Sequence, residues 1–545
     1  MLVHLRSLLL GYSALCLIVA CGEGSAGDVG PSAGRSNGGS MATGGIEGSA
    51  QAGQTNIAGS NGAASGAGGA PGPNAGAAGS SVAAGAAGTN SGPGGASDGG
   101  ATGTAGGGSA GAGGMPAVDL PPGVTGLFPL PGATNICADP ALRLRFATPP
   151  KLGNSGRLRV FDVSAPNAAL LTVDFAAMSV SQVFGGQSYN QARPIFLEGS
   201  DVVVPLLSTA LGYGKQYYVT VEAGAIQPAS GTFSITDPQD WRFSTWGAAP
   251  TGSKLSVALD GTGQFCSWQG ALDAIPAKNT AAVTIEIKSG LYHGLVNVNG
   301  KQNITLHGQD RKQTILSGVN NDKLNPGTRA RALFGADATN GLVIENLTIQ
   351  NLTPQGGTQA EALRLQGSDQ CVVRKADIVS LQDTLLWSGV IYAEDCYIAG
   401  NVDWIWGNGS VYFNRCEIKN LGRSGYIVQS RNGAGQYGYV FVDSKITADA
   451  GISGTTLARI DVSAYPNSHV AYVNCTLGSH ISKAGWTVTG GSAPSSLRFW
   501  EYQSKDANGA LIDVSARVGG KQISADQAAQ MRDPQVVLGG WQPPP

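Results

Sequence analysis

Hydrophobic and polar residues alternate along two stretches of this chain, in two different ways. In the first, Leu142-Arg143-Leu144-Arg145-Phe146, Arg157-Leu158-Arg159-Val160-Phe161, Asp201-Val202-Val203-Val204, Tyr217-Tyr218-Val219-Thr220-Val221 and Trp241-Arg242-Phe243 are separated by Gly, Pro and Asn clusters. A period of two over such lengths predicts strands with one buried face, and an antiparallel β-sandwich over residues 118–247. No catalytic constellation stands out in it, so a spacer is expected, with carbohydrate binding as the other reading. In the second stretch, six segments share one pattern: Asn346-Leu347-Thr348-Ile349, Lys375-Ala376-Asp377-Ile378, Asp395-Cys396-Tyr397-Ile398, Arg415-Cys416-Glu417-Ile418, Asp443-Ser444-Lys445-Ile446 and Asn474-Cys475-Thr476-Leu477. Their last residues lie 29, 20, 20, 28 and 31 positions apart. That repeat is too short for comfortable βαβ crossovers, and no amphipathic helix lies between copies. A solenoid of β-rungs is predicted over residues 254–520, each rung setting its Ile or Leu inward over the one below.

Composition sets a third region apart. Between Gly22 and Gly114, 33 of 93 residues are glycine and five are charged, and no aromatic residue occurs between Tyr12 and Phe128. Such a segment has too little to bury to offset the entropy of ordering its backbone. Residues 21–117 are therefore expected to form a disordered Gly/Ala/Ser tether. Ahead of it, His4 and Arg6 precede an apolar run from Leu8 to Ala20, too short to span a bilayer; residues 1–20 read as a signal peptide. The run ends Ile18-Val19-Ala20-Cys21, which resembles a bacterial lipobox and implies lipidation of Cys21; an ordinary secretory signal is the alternative. Either reading exports the protein. The lipid would anchor it on the bacterial outer membrane or cell surface, at the end of a tether reaching roughly 50 Å. A formal net charge of −2 speaks against binding nucleic acid through a basic face. The five histidines show no metal-ligand spacing, which speaks against a histidine-based zinc site.

The two consecutive spacings of 20 residues carry a geometric consequence. Residues in register on neighbouring rungs sit about 4.7–4.9 Å apart. Cys396 and Cys416 differ by 20 positions, which brings their Cα atoms within the ~4.4–6.8 Å disulfide window. A Cys396–Cys416 disulfide is predicted, with two buried free thiols as the alternative; the partners of Cys137, Cys266, Cys371 and Cys475 stay open. Asp383 and Asp403 also differ by 20 positions, and Gln382 stands beside the first. Two stacked carboxylates cannot both ionise cheaply, so one should keep its proton while the other is anionic. That provides an acid and a nucleophile or base from one residue type. Capping of solenoid turns and calcium binding are the competing readings of the same pair.

Around these residues, Thr358-Gln359-Ala360-Glu361-Ala362-Leu363-Arg364, Gln382-Asp383-Thr384-Leu385, Val402-Asp403-Trp404-Ile405-Trp406-Gly407, Val428-Gln429-Ser430-Arg431 and Phe499-Trp500-Glu501-Tyr502 follow one another. In order and spacing they resemble the QAxAL, QDTL, VDFIFG, AQGR and YxEY segments of the pectin methylesterases, over residues 250–541. The resemblance implies an all-β chain whose residues 250–545 form a right-handed parallel β-helix esterase domain. The preceding sandwich resembles bacterial Ig-like modules. The family's chemistry implies that Asp403 attacks the methyl-ester carbonyl of a galacturonate unit in pectin. It implies that Asp383 protonates the departing methanol and then serves as base for water. Gln359 and Gln382 would donate to the oxyanion, and Arg459 would fix the nucleophilic carboxylate while also meeting substrate. No metal or organic cofactor is implied, and a monomer is expected. Bacterial members also place half of a disulfide seven residues before the second Asp, where Cys396 stands. Trp387, Trp404 and Trp406 are candidate sugar platforms, with core packing as the alternative for each.

Two departures bear on substrate. The family's LGRPW segment reads Leu457-Ala458-Arg459-Ile460-Asp461, with an acid where the tryptophan would be. Asp461 would repel a free carboxylate and favour highly methylated stretches or another esterified polymer. The family's GxYxE segment reads Gly290-Leu291-Tyr292-His293-Gly294, without its Glu. A β-helix lyase or glycosidase and a non-catalytic surface adhesin are the competing functions. The Gln359, Gln382, Asp383, Asp403 and Arg459 set favours ester hydrolysis over each.

Overall fold

The computed structural model describes residues 120–206 and 211–545. The signal peptide, the Cys21 anchor and nearly all of the tether expected from the sequence lie outside the described residues. From Lys254–Val257 to Lys521–Gln522, eleven parallel strands stack into one long sheet, and two parallel sheets of eight strands run beside it. The chain visits the three in turn. Val283–Ile287, Gly290–His293 and Val296–Asn299 form one rung, with one strand in each sheet. The result is a three-sided parallel β-helix.

The second sheet carries the ladder expected from the sequence. Ile349, Ile378, Ile398, Ile418, Ile446 and Leu477 are each the register partner of the next, and all are buried. Three positions before each, Asn346, Lys375, Asp395, Arg415, Asp443 and Asn474 hold φ between 49° and 57°. This left-handed step turns the chain from the first sheet into the second. Asn and Asp adopt it most readily among L-residues, while Lys375 and Arg415 hold it at a cost of about 1–2 kcal/mol each.

The same ladder stacks Cys396 under Cys416, but the predicted disulfide between them is absent: both are buried free thiols, as are Cys371 and Cys475. Register explains why they stay unbonded. Stacked residues on parallel rungs send their Cα–Cβ bonds in the same direction, not toward each other as a disulfide requires. Each thiol donates to a backbone carbonyl, Cys396 to Val373 O at 3.2 Å and Cys416 to Asn414 O at 3.4 Å.

Ahead of the β-helix the alternating segments form two facing sheets. One has the order Gly126–Phe128, Ala141–Arg145, Asp201–Pro205, Phe196–Glu198; the other has the order Ala133–Ile136, Arg242–Thr245, Gln216–Val221, Arg157–Asp162, Leu171–Asp174. All pairings are antiparallel except Ala133–Ile136 with Arg242–Thr245, which is parallel. Leu142, Leu144, Leu158, Val160 and Val219 point into a common core with Trp241 and Phe243. Several contacts join this sandwich to the β-helix. His293, standing where the sequence lacks a following Glu, stacks on Phe196 and pairs with Glu198 at 2.7 Å. A hairpin, Ser179–Phe184 with Gln187–Ala192, lays Phe184 and Tyr189 against the β-helix core. A Cys137–Cys266 disulfide closes a separation of 129 residues. Replacing both cysteines with alanine is expected to cost about 2–5 kcal/mol of stability, because the cross-link restricts the unfolded chain. Thermal unfolding with and without reductant checks this; equal midpoints would show that the bond contributes nothing.

The outer face of the first sheet is closed. Helix Ala525–Arg532 and the short turn Pro534–Val537 place Ala528, Met531 and Val537 over Val372, Tyr392, Tyr412 and Val440. On the third sheet, strand alternation sends Leu363, Leu365, Leu385, Trp387 and Ile405 inward. It leaves Arg364, Leu386, Trp406, Gln429 and Arg459 in one outward row. The polar residues singled out in the sequence gather beside this row.

Candidate active site

Asp383 and Asp403 sit at the corner where the chain passes from the second sheet to the third. Gln382 bridges Val402 in parallel register, and Asp383 N–H donates to Val402 O at 3.1 Å. The two aspartates are thus stacked one rung apart, about 4.8 Å along the axis. Both hold left-handed backbone, φ 64° and 46°. Strained positions of this kind persist where the surrounding structure over-determines them, and they cluster at functional sites. Both side chains are largely buried.

Their surroundings differ. Arg459, two rungs further on, turns its guanidinium edge to Asp403. Nε donates to Oδ1 at 2.8 Å and to Oδ2 at 3.0 Å, and Nη2 also donates to Oδ2. The Tyr426 ring lies under the guanidinium, 4.9 Å from its carbon, and holds it in plane. A planar fork on a carboxylate balances its charge and fixes its direction. Asp383 receives one bond, from Arg331 Nη2 to Oδ2 at 3.1 Å. Burial pushes the Asp383 carboxyl well above the usual carboxylate range. The nearby charges of Glu361 and Asp403 push the same way, against Arg331 and Arg431. Burial and these charges therefore favour the protonated form of Asp383, beside an Asp403 whose charge Arg459 balances.

Ala360 N–H donates to Gln382 O at 3.2 Å, which sets Gln359 and Gln382 on consecutive rungs next to the aspartates. Both side chains are half-buried, and their amides can donate toward a group held over the pair. Of the three tryptophans, one reaches the site. Trp387 shares the inward face of Leu385 and stacks on Phe413 at 5.6 Å between centroids. Trp404 follows the turn residue Asp403 and also points into the core. Both are fully buried, so neither is a sugar platform. Trp406 lies in the outward row, with Arg431 at 4.7 Å and Arg331 at 5.7 Å from its ring centroid. Asp461 shares the outward side of its strand with Arg459, two residues away, and is exposed. Its carboxylate accepts from Ser463 Oγ and N–H, which lower its pKa in that order.

Arg331, Glu361 and Arg431 were not singled out by the sequence. Glu361 and Arg431 stand inside motifs quoted above but have no distinguishing pattern of their own. Arg331 lies 52 positions before Asp383 in an irregular loop, and no local spacing connects them.

The family model described as Pectinesterase matches residues 254–537, just over half of the chain. Pectinesterase 31 of Arabidopsis thaliana is 30% identical over 262 residues, covering 46% of this chain and 81% of that protein. Probable pectinesterase 56 of the same plant is 32% identical over 244 residues, covering 43% and 84%. A solved structure, pectin methylesterase from carrot, is 28% identical with a TM-score of 0.48, over 54% of this chain and 95% of that chain. The family match spans every residue of the Asp383–Asp403 corner, and the chain belongs to the pectinesterase family, enzymes that hydrolyse the methyl esters of pectin.

Proposed function

We propose that Asp403 is the nucleophile of this pectinesterase and Asp383 its acid and base. The observation that carries the reading is the asymmetry of the stacked pair, one carboxylate forked by Arg459 and the other buried beside Glu361. An Asp403 oxygen adds to the carbonyl carbon of a methyl galacturonate, and the carbonyl oxygen becomes an oxyanion. The Gln359 and Gln382 amides donate to it, each worth roughly 2.7–4 kcal/mol in comparable sites. As the tetrahedral intermediate collapses, the C–OCH₃ bond breaks and Asp383 gives its proton to the leaving oxygen, releasing methanol. The acyl group is then held on Asp403 as an anhydride. Asp383, now anionic, takes a proton from water, whose oxygen attacks the acyl carbon. Collapse of this second intermediate releases the uronic acid, which loses its proton to solvent, and restores both aspartates. Trp406 and Arg431 border this centre and are the groups best placed to meet the sugar chain. Exposed Asp461 favours methylated over free uronate nearby.

The test is product identity. Methylated pectin incubated with the protein should yield methanol with no ultraviolet-absorbing unsaturated uronide and no new reducing ends. Either of those products without methanol would overturn the reading.

The proposal extends to cellular placement. The lipobox-like Ile18-Val19-Ala20-Cys21 and the glycine-rich segment after it support a lipid-anchored bacterial surface enzyme whose catalytic head stands off from the membrane. The sandwich is proposed to be an Ig-like spacer and the enzyme to act as a monomer.

A further inference from the structure

Beside the stacked aspartates lies a charged pair that the reaction described above does not use. Glu361 precedes the strand Leu363–Gln366 and is fully buried. Its carboxylate accepts from Arg331 Nε at 3.0 Å through both oxygens and from Nη2 at 2.9 Å. The same Nη2 donates to Asp383 Oδ2. Enclosing a carboxylate and a guanidinium costs several kcal/mol of lost hydration per ion, and an apolar pair of similar volume would fill the space at no such cost. Arg331 presents the guanidinium to Asp383, and an unopposed guanidinium there would strip the very proton that Asp383 has to donate.

Resting on the reading of Asp383 as proton donor, we propose that Glu361 is a positioning residue acting through Arg331. It balances the guanidinium charge, so that Arg331 orients the Asp383 carboxyl without ionising it. The hydrogen bond also selects the proton's place. Oδ2 accepts from Arg331, and the carbonyl oxygen of a carboxyl group is the better acceptor, so this bond favours the proton on Oδ1. The other charged groups facing Asp383 are Asp403, which favours the protonated form, and Arg431, which opposes it; Arg459 is neutralised by its fork on Asp403. Asp322 also meets Arg331, at 3.2 Å, but its side chain is 35% exposed and water screens it. Glu361 is thus the fully enclosed counter-charge of Arg331.

The experiment is the pH profile of kcat/KM for methanol release by the full chain. Its alkaline limb reports loss of the Asp383 proton. Glu361→Gln keeps the shape and removes the balancing charge, so the limb is expected to move down by at least about one pH unit. Arg331→Gln removes the opposing charge, and the limb is expected to move up. A downward shift for Glu361→Gln with an upward shift for Arg331→Gln supports the proposal, and the reverse pair of shifts overturns it. Limbs that stay in place, or that move in the same direction, overturn it and leave the pair a structural one. If only one variant folds, its direction decides alone: the expected shift supports the proposal, and no shift or the reverse overturns it. Asp383→Asn keeps the two readings apart. It should abolish methanol release; turnover at the normal rate would remove Asp383 as donor, and the proposal would fall with that reading.

Discussion

A folded Asp403→Asn protein is expected to lose methanol release from methylated pectin by about 10⁴-fold or more, the scale seen when a covalent nucleophile is removed. The amide has nearly the volume of the carboxylate but cannot form the acyl intermediate. Asparagine is the better probe than alanine because residue 403 holds φ 46°, a conformation Asn tolerates and a Cβ-only side chain adopts at greater cost. The backbone bond from Asp403 N–H to Tyr426 O, 2.8 Å, is untouched by the change. Arg459 loses an anionic partner, but its side chain is 41% exposed and water can take that place. Circular dichroism and thermal unfolding should therefore resemble those of the unaltered protein. Undiminished turnover in such a folded variant would show that the carboxylate at position 403 is not the nucleophile.

Much of this site was legible because a parallel solenoid turns sequence spacing into distance. Two positions 20 apart, with Gln382 opposite Val402, could only be stacked once the Ile378–Ile398 rungs were in register. That rule fixes where residues lie along the axis and leaves open where their side chains point. Cys396 and Cys416 obey the spacing and remain unbonded, since stacked Cβ atoms point in parallel. Strand parity would have sorted two of the tryptophans: Trp387 shares the parity of core-facing Leu385, and Trp406 that of outward Leu386. Trp404 stands at the turn, where parity does not apply. Arg331 was out of reach for a different reason. It approaches Asp383 across two rungs from an irregular loop, a contact that no period encodes. Arg459 comes from as far away but sits in a regular strand inside a recognisable segment. The Cys137–Cys266 bond joins two differently built regions, and no repeat relates its ends.

Arg459→Ala should lower kcat by about 10²–10³-fold with a smaller change in KM, the loss expected when charge-assisted hydrogen bonds that orient a reacting group are removed. The direction follows from what Arg459 touches. Its fork fixes both oxygens of Asp403, and the Tyr426 ring at 4.9 Å keeps the guanidinium flat against that carboxylate. Without the fork, the carboxylate rotates away from the line of attack and loses the partner that balances its charge beside Asp383. Arg459→Lys restores the charge without the fork, because an ammonium cannot donate to both carboxylate oxygens in one plane. It should recover about tenfold of the lost rate and no more. The two variants together separate charge from geometry: full rescue by lysine would make charge the whole contribution, and no rescue would make it alignment. Steady-state kinetics on highly methylated pectin provide the check. A rise in KM at constant kcat would instead make Arg459 a clamp on the polymer, its bonds to Asp403 serving only to hold it in place for substrate.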